Sequence, residues 1–128
     1  MDKIINNLDL DIIHSQHPNL LGSVAKNWAK KKSAPLIFTW HTLYDQYAHF
    51  VPLVPNKLAS AYIIHKAVNY ANKSDLVITP TNSVKEIIKN WGVTNKNIEA
   101  IPTGIEEEYY QNSDRDKIRK KFDIKDNE

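Results

Sequence analysis

Residues 36–52 read LIFTWHTLYDQYAHFVP. The first four, Leu36-Ile37-Phe38-Thr39, form a short apolar run that reads as a β-strand. The thirteen that follow hold two histidines, two tyrosines, a tryptophan, a threonine and an aspartate. A buried strand that runs directly into an aromatic, titratable loop is the arrangement of an α/β protein. In that class the strands end in ligand-binding loops.

Three other runs share this form: residues 10–13 (LDII), 76–79 (LVIT) and 98–101 (IEAI). The two middle runs are nearly continuous in apolar character, which predicts parallel strands buried on both faces. Helical patterns lie between them. Pro18 is placed to open a helix that runs to about Lys32, with Leu21, Val24, Ala25 and Trp28 on one face. Pro55 is placed to open a second, with Leu58, Ala59, Tyr62, Ile63 and Lys66 at helical spacing. Ser83 and Glu86 form a capping box for a third helix, which Gly92 stops just after Trp91. Ile4, Ile5 and Leu8 read as the tail of a helix feeding the first strand. The alternation predicts an α/β fold, Rossmann-like, with about four parallel strands and flanking helices.

Composition narrows the function classes. A chain of 128 residues fits one domain with a real core. A net charge of +2 gives no basic stripe for nucleic acid. Without cysteine there is no disulfide, no thiolate nucleophile and no cysteine-based zinc site. No apolar stretch approaches the roughly 18 residues of a transmembrane helix, and the polar N-terminus is no signal peptide. A cytoplasmic protein is expected, or one peripheral on the inner face of the cell membrane.

The polar stretches after the strands hold the candidate chemistry: His14-Ser15-Gln16-His17, His41-Thr42, Pro80-Thr81-Asn82-Ser83 and Pro102-Thr103-Gly104-Ile105-Glu106. His14 and His17 stand three residues apart, on opposite faces of a strand unless it ends between them, which disfavours a shared metal. His41 reads either as a turn residue or as part of a binding loop, and its company of Thr42, Tyr44, Tyr47 and His49 favours the loop. Asp45 has no second carboxylate at useful spacing, so a two-carboxylate hydrolase has little support. Lys26, Lys30, Lys31 and Lys32 complement a helix C-terminal dipole. A second reading is a basic patch for anionic lipid.

Taken in order, DIIHSQHPNLLG, TWHTLYDQYAHFVP, NKSDLVITPTNSV and IEAIPTGI resemble the retaining glycosyltransferases of family 4 over about residues 10–106. The extended HTLYxxYxHxVP form at residues 41–52 is most similar to the bacterial 1,2-diacylglycerol 3-glucosyltransferases. The resemblance implies the two-domain GT-B architecture, with residues 1–110 as a partial acceptor-side domain. Residues 111–128 correspond to a linker helix toward a donor-binding domain that is absent from this sequence. It implies transfer of a hexose, glucose above all, from a nucleotide sugar (a UDP-hexose as co-substrate) to a lipid acceptor such as diacylglycerol. No cofactor or metal is implied.

By position, His41 matches the family histidine near the transferred sugar. Thr42, Tyr44, Tyr47 and His49 match the acceptor loop, and His14 and His17 the turn at the cleft edge. Gly104 matches the interdomain glycine, and Glu106 stands where the family usually has aspartate. The chain alone is expected to be inactive and to self-associate through an exposed sheet edge. The alternative is a non-catalytic α/β module that binds a ligand or a partner.

Overall fold

The computed structural model describes residues 5–43, 55–104, 106 and 114–125. Four strands, β1 (Ile13–Ser15), β2 (Leu36–Thr39), β3 (Leu76–Thr79) and β4 (Ile98–Ala100), form one parallel sheet in the order β1-β2-β3-β4. The connections carry α1 (Leu21–Lys32), α2 (Asn56–Ala71) and α3 (Asn82–Asn90), and α4 (Arg115–Lys121) follows the sheet. The α/β class and the Rossmann-like arrangement expected from the sequence are present.

The register explains which residues face the helices. Ser15, Phe38, Val77 and Ile98 lie in one row across the sheet, and all four are buried. Leu36 and Trp40 share that face with Phe38, two residues to either side. All three connecting helices contribute to the cluster built on it: Ala25 and Ala29 from α1, Ala67, Tyr70 and Ala71 from α2, Val84 and Ile88 from α3. Phe38 meets Tyr70 edge-on, ring centroids 5.0 Å apart, and Trp40 lies 6.0 Å from Trp91. Such aromatic pairs contribute about 0.5–1.5 kcal/mol beyond the area they bury.

The opposite face differs from the expectation. Strands covered on both sides were predicted, yet Ile37, Leu76 and Ile78 are only half-buried, and His14 and Glu99 in the same rows are exposed. The apolar runs look continuous because one face is the core and the other carries half-buried apolar residues around the buried Thr39.

Three boundaries also move. The first strand was expected at residues 10–13 but forms at 13–15. It can pair only with what β2 offers, and the ladder begins where Ile13 N donates to Pro35 O at 3.0 Å. His14 and Ser15 are therefore strand residues and not part of the following turn. Helix α1 starts at Leu21 instead of at Pro18. Asn19 N donates to His17 Nδ1 at 3.2 Å, and Leu20 has φ of 28°, so the chain turns before helical hydrogen bonding starts. Helix α3 is capped by Thr81, not by Ser83: Thr81 Oγ1 accepts from Val84 N at 3.2 Å. Gly92 ends that helix as expected, with φ of 106°.

Of the residues expected on the buried face of α2, Ala59 is buried and Ile63 packs against the core, whereas Leu58 (65% exposed) and Tyr62 (63%) point outward. Ala67 and Ala71 join the core cluster.

The lysine cluster of α1 has two structural roles. Lys32 Nζ donates to the carbonyls of Asn6 and Leu8, both at 2.8 Å, tying down the segment before β1. Lys31 lies 4.4 Å from the Trp28 ring centroid. Residues 5 and 6 are helical.

Candidate functional site

The two edges of the sheet use their polar side chains differently. At the amino edge nearly every one is committed to backbone. Leu36 N donates to Asp75 Oδ2 (2.7 Å), and Thr94 N and Asn95 N donate to Asn72 Oδ1. Asn95 Nδ2 donates to the carbonyls of Ala71 and Ser74, and Asn97 Nδ2 to that of Asp75. These groups close the loops and leave little for a ligand.

At the carboxyl edge the side chains bond to one another. His14 Nε2 lies 2.7 Å from Thr39 Oγ1 and 3.1 Å from Gln16 Nε2, and Gln16 Oε1 is bonded to His41 Nε2. The four meet through strand alternation. His14 and Gln16 are two residues apart at the end of β1, and Thr39 and His41 are two apart at the end of β2. Pairing of His14 with Ile37 puts all of them on the face that no described helix covers.

Rigid neighbours hold this cluster from both strands. Trp40 is fully buried, its backbone N–H donates to Ile78 O (2.8 Å), and its indole Nε1–H donates to Thr42 O (2.8 Å). His41 therefore leaves the sheet between two fixed residues. On β1, Ser15 Oγ donates to His17 O at 2.9 Å. Gly22 of α1 lies so close that a Cβ placed on it would sit 2.0 Å from the same oxygen. Tyr70 of α2 reaches across to donate its hydroxyl to Gly22 O at 2.9 Å. Burial pushes the Tyr70 hydroxyl pKa above the ordinary tyrosine value, and a hydrogen bond with Ser15 opposes this.

Of the residues expected in the site, His14, His41 and Thr42 come together at this edge. His17 lies in the adjoining turn, where its Nδ1 is occupied by Asn19 N. Among the described residues no three histidine, aspartate or glutamate side chains are grouped to hold a metal ion. Gly104 and Glu106 are exposed beyond β4. A Cβ placed on Gly104 would meet nothing within 4 Å, so no described neighbour demands a glycine there. Tyr44, Tyr47 and His49 lie outside the described residues. Sequence reasoning held Gln16 only as part of the His14–His17 stretch and did not single out Thr39 or Gly22. The two-residue spacing of His14-Gln16 and Thr39-His41 was the available signal for the first two.

Residues 1–109 match the family model for Glycosyltransferase Family 4. The chain belongs to glycosyltransferase family 4. It is similar to the alpha-monoglucosyldiacylglycerol synthase of Streptococcus pneumoniae, with 29% identity over 106 residues. That alignment covers 81% of this chain and 23% of the relative, so the chain spans about a quarter of the relative's length. Among the described residues no helix is long and apolar enough to cross a membrane.

Proposed function

We propose that this chain supplies the acceptor-side half of a glycosyltransferase that moves a hexose from a nucleotide sugar to a lipid hydroxyl. The observation that carries this reading is the family 4 match over residues 1–109, with the histidine cluster at the sheet's carboxyl edge as its geometric support. Diacylglycerol is the acceptor that the streptococcal relative's name suggests, and a UDP-hexose such as UDP-glucose is the donor. Transfer proceeds with retention and needs no cofactor from this chain. Residues 1–110 form the acceptor-side unit, and 111–128 link it to a donor-binding domain.

In this reading His41 faces the sugar and the acceptor hydroxyl. Thr42, Tyr44, Tyr47 and His49 shape the acceptor pocket, and His14 and His17 border it. Gly104 and Glu106 lie toward the donor. The half-buried side chains on the helix-free face and the apolar cleft of about 470 Å³ beside β1, lined by Ile5, Leu8, Leu10, Ile13, Leu21 and Trp28, suit a chain that completes its fold or meets lipid with further surface. Lys26 and Lys66, beside the exposed Leu20 and Tyr62, would favour an anionic membrane face at order 1 kcal/mol per basic residue. With positioning as the main catalytic device, loss of one cleft group slows transfer by roughly a hundredfold.

The test is a transfer assay on the complete open reading frame that contains residues 1–128, with sugar-labelled UDP-glucose and vesicles holding diacylglycerol. The expected product is a labelled lipid, formed about a hundredfold more slowly by His41→Ala. Failure to label any lipid with any UDP-hexose would leave the chain as a binding module and end the enzymatic reading.

A further inference from the structure

We infer that Gln16 is a positioning residue that sets the proton on His41, a conclusion that rests on the proposal that His41 faces the acceptor. Its side-chain amide spans the two histidines. A carbonyl oxygen can only accept and an amide nitrogen can only donate. Because Gln16 Oε1 is bonded to His41 Nε2, that nitrogen carries the hydrogen, and the His41 lone pair is on Nδ1. Because Gln16 Nε2 lies 3.1 Å from His14 Nε2, the latter presents a lone pair, and the His14 hydrogen is on Nδ1. The buried Thr39 hydroxyl, 2.7 Å away, lies against the same His14 nitrogen.

The relay therefore has a direction. Gln16 donates to His14, and His41 donates to Gln16. One amide fixes opposite tautomers in two histidines. Among the described residues nothing bonds His41 Nδ1, so this is the atom left to accept a hydrogen bond from an acceptor hydroxyl. The two ends are held independently, His41 by buried Trp40 and Gln16 by the turn that Ser15 and Gly22 lock. The bridge therefore orients a ring that its own exposed position would leave free to rotate.

The experiment reads tautomers directly. The chain is labelled with ¹⁵N-histidine and its long-range ¹H–¹⁵N spectrum is recorded about two pH units above the ordinary imidazole pKa of ~6.5. The expected spectrum shows His41 protonated at Nε2 and His14 protonated at Nδ1. Gln16→Glu offers two accepting oxygens, so His14 should switch to the Nε2–H form while His41 stays as it was. Gln16→Met should remove the fixed state, leaving His41 as a rapidly exchanging mixture.

His41 protonated at Nδ1 in the parent chain would mean the amide is turned the other way and would overturn the assignment. So would identical histidine spectra in all three proteins. In the transfer assay on the intact reading frame, Gln16→Met should lower kcat on the order of tenfold with KM little changed, and Gln16→Glu should recover part of it. The spectra keep the two ideas separate. If no lipid is labelled but the tautomers follow the pattern, the enzymatic reading fails while the relay stands.

Discussion

Replacing Gly22 with alanine should be far more damaging than a helical glycine normally allows. In an ordinary exposed helix the change stabilises by about 1 kcal/mol, because alanine has the higher helix propensity. Here the new Cβ would stand 2.0 Å from His17 O, whereas ordinary contact begins at 3.4 Å, so 3.4 − 2.0 = 1.4 Å of separation must be created. The obstacle is backbone and cannot swing aside. Moving His17 O away breaks the bond from Ser15 Oγ, and moving α1 away breaks the buried bond from Tyr70 to Gly22 O. Either loss costs about 1–3 kcal/mol, and overpacking adds about 1–3. After the propensity gain is subtracted, a net loss of roughly 1–5 kcal/mol is expected.

Urea unfolding followed by far-UV circular dichroism measures it. With a slope of about 1–3 kcal/mol/M the midpoint should fall by around 1 M or more. Ser23→Ala, at the exposed next position, should stay within about 0.5 kcal/mol of the parent. A Gly22→Ala midpoint at or above the parent's would show that the turn and helix are not locked together, and the account of the site's rigidity would go with it.

Three further outcomes are expected. Thr81→Ala should lower stability by about 1 kcal/mol in thermal melts, with Ser83→Ala near neutral. The reverse order would restore Ser83 as the cap. Tyr70 has its pKa raised in the fold, so between the unfolded value and the folded one the unfolded chain binds fewer protons and stability falls as pH rises. Urea midpoints should therefore decline above pH ~10, and Tyr70→Phe should flatten that limb although it lowers stability at neutral pH. An equal alkaline decline in both proteins would assign it to other groups. Finally, the free edge of β1 should draw two copies together, giving a sedimentation profile that shifts with concentration. A monomer at every concentration, with a sharp melt, would contradict it.

Much of the fold was legible in the sequence because the β2 and β3 runs, LIFT and LVIT, are unambiguous, and the structure places both strands on the expected residues. What misled was local chemistry that depends on partners distant in sequence. The limits of β1 are set by β2, not by Leu10-Asp11-Ile12-Ile13 itself. Adjacent stripes on α2, one through Leu58 and Tyr62 and one through Ala59 and Ala67, have the same period. Only the packing of the helix on the rest of the core decides between them. For the site, His14 and His41 stood out as titratable groups after apolar runs. Gln16 and Thr39 carry no such flag and acquire meaning only when the register brings β1 and β2 together.

The burial of Trp40 has an optical consequence. Its indole is sealed from water in the core, while the residue after it in sequence is His41. Its emission should therefore be blue-shifted and insensitive to bulk quenchers, yet responsive to small movements of the strand end. Trp28 and Trp91 can be replaced by phenylalanine to isolate it. The chain thus carries an intrinsic fluorophore beside the His14–Gln16–His41 cluster, and any ligand that moves the β2 end by a fraction of an ångström could be titrated without any label.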